Sequence, residues 1–173
     1  MTTLLVKIVA EALQRFPRAN SSFQNGKIQL FNEINIGVAV GMEAGLVVPV
    51  IRGADRKSVI QINDEMKRFE EKARITRFSA QDLEGGHITL TNLGMYGIEQ
   101  FNAIVNPPQS SILAVGSIVN RPVGSDDGTV VLKKMMNLTL SVDHRCLDGV
   151  QAAHFLKTIQ GLIEMPDIFV TGG

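Results

Sequence analysis

Between Leu138 and Arg145 the side chains alternate without a break. Leu138, Leu140, Val142 and His144 fall on one side, and Thr139, Ser141, Asp143 and Arg145 on the other. A period of two is the mark of a β-strand with one buried face. A chain carrying it must build a sheet and supply something to cover that face. Three segments with helical spacing supply the cover. In Thr3–Phe16, Leu4, Leu5, Ile8, Val9, Ala12 and Leu13 recur every three or four residues; Thr2 or Thr3 is the expected cap and Pro17 the stop. From Ser58, the residues Val59, Ile62, Met66, Phe69 and Ala73 form one stripe, with Lys67, Arg68, Glu70, Glu71 and Lys72 opposite. Val150 to Glu164 closes the chain, packing through Ala153, Leu156, Ile159 or Gln160, and Ile163.

Further strands are expected at Ile28–Phe31, at Ile34–Val40 closed by Gly41, and, after a turn containing Gly45, at Leu46–Ile51 as a strand buried on both faces. His87–Thr91 after Gly85-Gly86 and Ile112–Ile118 follow. Asn120–Gly128 is rich in turn residues and reads as a mobile loop before a strand from Val131 to Arg145. The pattern is one α/β domain, a sheet with helices packed on it.

Charge and composition narrow the function. Lys plus Arg number 17 and Asp plus Glu 17, with no basic run, so a nucleic-acid surface is not expected. No apolar stretch is long enough to span a membrane. The single Cys146 has no partner for an intramolecular disulfide, which fits a reducing compartment. His87, His144, His154 and Asp148 lack the spacing of a metal site, and none is expected.

The chemistry gathers at the end of the alternating segment. Asp143 and Arg145 share a face and hold the strand's end, leaving His144 to point away from both. A neutral, partly buried imidazole at a strand terminus is what a general base requires. Asp148-Gly149 then turns the chain. Cys146 reads as a small buried hydrophobe, and His87, before Thr89 and Thr91 on one strand face, as a solvent-facing ring.

The segment Asp143-His144-Arg145-Cys146-Leu147-Asp148-Gly149 resembles the D-H-R-x-x-D-G signature of the dihydrolipoamide acyltransferases, the cores of the 2-oxo acid dehydrogenase complexes. Gly85 to Gly97, containing Thr91-Asn92-Leu93-Gly94-Met95, is similar to that family's G-G-x-F-T-I-[ST]-N-L-G-M-F-G. Asn106-Pro107-Pro108-Gln109 with Ile112-Leu113-Ala114-Val115-Gly116 resembles N-P-P-Q-x-x-I-L-A-x-G, and Gly45–Ile51 resembles G-L-[IV]-V-P-V-I. These segments stand in the family's order and cover most of the chain.

The resemblance implies a chloramphenicol acetyltransferase-like fold, an α+β sandwich with a mixed central sheet. It implies His144 as the base, Thr91 as its hydroxyl partner and Asp148 as an orienting residue, with Asp143, Arg145 and Gly149 supporting the motif. The substrates implied are coenzyme A and a lipoyl group carried on a domain outside this chain. The reaction is acyl transfer, acetyl favoured by the Asn92-Leu93-Gly94-Met95 segment. A thiol near pKa 8.5 and an imidazole near 6.5 make unassisted proton transfer uphill by roughly 2.7 kcal/mol, modest enough to need no acyl-enzyme.

Partners implied are further copies of the chain, in trimers building a hollow core, and the complex's decarboxylase and dihydrolipoamide dehydrogenase, in the bacterial cytoplasm or the mitochondrial matrix. His144 is expected to meet Thr91 of an adjacent copy. The family's catalytic domain has a basic helix and a strand ahead of the point matching Met1, so residues 1–173 read as that domain truncated at its N-terminus, without lipoyl or subunit-binding domains. No coenzyme A contact residues are assigned. Two rivals are a non-catalytic assembly protein of the same fold, which tends to lose the histidine motif, and a chloramphenicol-type acetyltransferase, whose motif opens His-His.

Overall fold

The structure is a computed structural model and describes residues 1–42 and 45–165. It opens with α1 (Thr2–Arg15), whose Leu5, Val6, Ile8, Val9, Ala12 and Leu13 are buried. Neither threonine caps it: Met1 holds the cap position and makes no side-chain cap. The Thr2 hydroxyl instead accepts from Asn92 Nδ2 at 3.2 Å, and the Thr3 hydroxyl donates to Asn63 Oδ1 at 3.4 Å. A hairpin follows, β1 (Ser21–Gln24) with β2 (Lys27–Leu30), turned by Asn25 and Gly26 at φ 52° and 73°.

The expected strand Ile34–Val40 is two strands, β3 (Ile36–Val38) and β4 (Val40–Met42), and Gly41 lies inside the second. Leu46–Ile51 is also divided, into β5 (Gly45–Val47) and β6 (Val50–Ile51), at Val48-Pro49. Proline offers no N–H to continue a ladder. β5 pairs only with β4, off the main sheet, and Leu46 is 66% exposed where a doubly buried position was expected.

α2 (Val59–Arg74) opens as read: Ser58 and Gln61 form a reciprocal capping box, and Ile62, Met66 and Phe69 are buried. A short helix, α3 (Ala80–Leu83), leads to β7 (Ile88–Asn92). β8 (Ser111–Gly124) and β9 (Val130–Val142) form a long hairpin, so the expected loop Asn120–Gly128 is mostly strand. Pro122 is tolerated because β7 ends opposite Val115, leaving that stretch of β8 with β9 as its one partner. α4 (Gly149–Ile163) packs through Phe155, Ile159 and Leu162, with Leu156 and Ile163 beside them as expected, while Ala153 is exposed.

The main sheet has five strands in the order β6-β3-β7-β8-β9. β3, β7 and β8 run parallel, with antiparallel strands at both edges. The mixed sheet with helices packed on it is the predicted class. Side chains on one face (Ile36, Val38, Ile88, Leu90, Leu113, Val115) form a core with α1, α2 and α4, where Phe16 and Phe155 meet at 6.0 Å. The opposite face carries Thr89, Thr91, Ile112, Ala114, Thr139 and Ser141.

Candidate active site

Thr91 stands on that second face, in the central strand. Its register partner is Ala114, whose own partner is Thr139. It is 9% exposed, and its hydroxyl has no hydrogen-bond partner among the described residues. It lines a cavity of about 760 Å³. The floor is Thr89, Thr91 and Ile112, one wall is Leu46–Val48 with Leu83, and the roof is the segment 102–106. The roof is seated by a close crossing: a Cβ on Gly116 would lie 1.9 Å from the carbonyl oxygen of Glu99. Ser117 N–H donates to Ile98 O at 2.8 Å and Asn137 Nδ2 to Glu99 O at 3.2 Å. Glycine at 116 lets the segment leading into the roof lie directly on the sheet.

His144 is not on a strand. β9 stops at Val142, and residues 144–146 form a turn in which the Cys146 and Leu147 amides donate to Asp143 O at 2.8 and 3.1 Å. The period of two carries past the strand's end because Asp143 captures the backbone ahead of it. Its Oδ1 accepts from the Arg145 amide at 3.0 Å, an Asx-type turn. Asp143 and Arg145 also pair directly, Arg145 Nε to Asp143 Oδ1 at 2.9 Å and Nη2 to Oδ2 at 2.7 Å. The hydrogen bond from Arg145 holds the Asp143 carboxyl below the usual carboxylate range. The Arg145 guanidinium also lies 4.5 Å over the Phe23 ring, and Arg18 Nε donates to Cys146 O at 3.1 Å. With its neighbours on both sides pinned, His144 is exposed, where a partly buried ring was expected, and its ring has no hydrogen-bond partner among the described residues.

Asp148 caps α4. Its Oδ1 accepts from Gln151 N at 2.8 Å while its own amide donates to Gln151 Oε1 at 3.3 Å. Gly149, expected in a turn, is the first residue of that helix. Cys146 is buried at 1% exposure, as read, and burial raises its thiol pKa. His87 reverses its expectation. It is 8% exposed, stacked on Phe31 at 3.9 Å, with Nδ1 3.1 Å from Asn20 Oδ1. Asn20 Nδ2 is already donated to Phe31 O and Glu33 O, so His87 Nδ1–H is the donor, and burial lowers the ring's pKa.

Within one chain the expected pair is apart. Val142 lies across Ser111 from Ile88, and Thr91 is three residues further along β7. At ~3.3 Å per residue and ~4.8 Å per strand, Val142 and Thr91 are about 14 Å apart, and the chain then runs on to His144 in the direction away from Thr91. Sequence reasoning overlooked Thr89, Gln109 and the 102–106 roof. The first two stood inside recognised motifs.

Residues 1–170 match the family model of the 2-oxoacid dehydrogenases acyltransferase catalytic domain. The chain belongs to this family. A dihydrolipoyllysine-residue acetyltransferase component of the pyruvate dehydrogenase complex from Rickettsia bellii is 43% identical over 166 residues, covering 96% of this chain and 40% of that protein. The chain thus spans about two fifths of the length of such curated relatives. Among solved structures, the cubic core of a pyruvate dehydrogenase multienzyme complex superposes with a TM-score of 0.89 at 37% identity, over 93% of this chain and 67% of that one. The Azotobacter vinelandii dihydrolipoamide acetyltransferase does so with a TM-score of 0.89 at 36% identity, over 93% and 67%. It was studied for the role of a serine, a histidine and an asparagine four residues beyond that histidine in its catalytic mechanism. A chloramphenicol acetyltransferase, TM-score 0.57 at 16% identity over 92% of this chain and 76% of that one, shares the acyltransferase family's fold.

Proposed function

We propose that this chain is the catalytic domain of a dihydrolipoamide acetyltransferase, moving acetyl between coenzyme A and a dihydrolipoyl thiol at the core of a 2-oxo acid dehydrogenase complex. The observation that carries the reading is a hydroxyl in a cavity and an imidazole on a braced turn, neither hydrogen-bonded among the described residues. Both lie at motif positions of a family to which the chain belongs. A histidine followed four residues on by an asparagine, as studied in the Azotobacter relative, has the spacing of His144 and Asp148 here, which supports the reading of Thr91, His144 and Asp148 as the site.

His144 takes the proton of the attacking thiol. The thiolate adds to the thioester carbonyl, and the oxyanion that forms accepts a hydrogen bond from the Thr91 hydroxyl. Collapse breaks the old carbon–sulfur bond, and His144 returns its proton to the leaving sulfur. A donor aimed at the oxyanion contributes ~10²–10³ in rate. Because one chain holds the two groups apart, the site is formed between copies, His144 of one protomer reaching the cavity of the next. That arrangement suits a self-assembled core, joined by the decarboxylase and dihydrolipoamide dehydrogenase of the complex, in the bacterial cytoplasm or the mitochondrial matrix. Asp148 sets the start of α4 and so the turn, rather than exchanging protons.

Acetyl transfer from acetyl coenzyme A to dihydrolipoamide tests the reading. Wild type should turn over and His144→Ala should lose ~10²–10⁴ in rate, the usual worth of a positioned base. Equal rates in the two proteins overturn it.

A further inference from the structure

The Asn106–Gln109 motif plays no part in the chemistry above, yet its last residue is tied to the floor of the cavity. Thr89 Oγ1 donates to Gln109 Oε1 at 2.5 Å, with the two residues 1% and 6% exposed. Thr89 precedes Thr91 by two on the same strand face, about 7 Å away, and lines the same cavity. Two glycines leave this pair just enough room. A Cβ on Gly37 would come 2.7 Å from Val48 Cγ1 and 3.1 Å from Thr89 Oγ1. A Cβ on Gly86 would come 3.0 Å from Gln109 Nε2 and 3.2 Å from Val50 Cγ2. Thr89 is therefore oriented by Gln109, which engages its hydroxyl, and it shares with Val48 the space that a side chain at residue 37 would need.

We infer that Thr89 is a specificity-determining residue, the stop that limits how long or branched an acyl group lies beside Thr91. The inference rests on the acyl-transfer reading above. A carbonyl carbon within reach of the Thr91 hydroxyl places the acyl tail on the apolar floor formed by Ile112 and Thr89, under Val48. An acetyl methyl is accommodated there; each further carbon runs toward a side chain with no room to turn. One methylene in such a pocket is worth roughly 10- to 200-fold in selectivity.

The test is the ratio of kcat/KM for propionyl and isobutyryl coenzyme A against acetyl coenzyme A, with dihydrolipoamide as acceptor. It is run on the full chain and on Thr89→Ser and Thr89→Ala. Serine keeps the hydroxyl for Gln109 and removes only the methyl, so Thr89→Ser should fold as wild type and raise the propionyl-to-acetyl ratio about tenfold. Thr89→Ala should raise it as well, with lower turnover on all three donors. A purely structural role lowers the donors together and leaves the ratio where it was; an unchanged ratio in both variants overturns the inference. Wild type that transfers none of the acyl groups overturns the acyl-transfer reading, and this inference with it.

Discussion

At the scale of single residues, the turn from Asp143 to Asp148 shows how charge and hydrogen bonding can free one side chain by committing its neighbours. Asp143 and Arg145 spend their polar groups on each other, Cys146 and Leu147 are buried, and the Asp148 carboxylate is taken by the Gln151 amide. Among the described residues, nothing hydrogen-bonds the His144 ring. Asp148 is then worth stability rather than proton transfer. Asp148→Ala should cost about 1 kcal/mol in urea unfolding, the usual worth of an N-cap, whereas Asp148→Asn, which keeps an acceptor, should cost a few tenths. The segment was legible in the sequence as a motif. The turn itself was not. Asp143 can accept from the amide two residues on, and that local bond halts the strand while polar and apolar residues go on alternating.

At the scale of elements, helix α3 is held to α2 by charge. Lys72 Nζ lies 2.7 Å from both Asp82 oxygens, and Asp82 also caps its own helix through Ser79. The Lys72 ammonium is the largest of the causes that pull the Asp82 carboxyl down to about 2 from 3.8. A carboxyl depressed in the folded state stabilises fully above its unfolded value, and that contribution fades as pH falls from 3.8 toward 2. Urea unfolding followed from about pH 5 to pH 2 should therefore show wild type losing more stability than Asp82→Asn, by about 1 kcal/mol or less because the pair is only part-buried and solvent screens it through Lys72. Long periodic helices such as α1 and α2 were readable to within a residue, and β9 was found but read three residues too far at its C-terminal end. The β8–β9 hairpin was not: Pro122, Gly124, Asp126, Asp127 and Gly128 are turn formers, and β8 accommodates Pro122 because one side of the strand is open there. His87 looked like a surface residue for a related reason. Its cover, Phe31 and Asn20, comes from the β1–β2 region, more than 50 residues away in the chain.

At the scale of the whole molecule, the fold class could be read from periodicity alone, but the distance between His144 and Thr91 needed the strand register. That distance makes a direct prediction about assembly. His144→Ala and Thr91→Ala should each be nearly inactive, yet dissociating, mixing and reassembling equal amounts should restore up to about a quarter of wild-type activity. The estimate follows because, in cyclic assemblies, one in four random neighbour pairings brings an intact histidine to an intact threonine. Sites built within single chains would show no recovery. The cavity served by such a site has its roof laid on β8 at Gly116, where the Glu99 carbonyl occupies the space a methyl group would need. Evolution has no smaller residue to fall back on at that position. Drift there is closed in a single step, and variation in the reach of this pocket must come instead from its floor and walls.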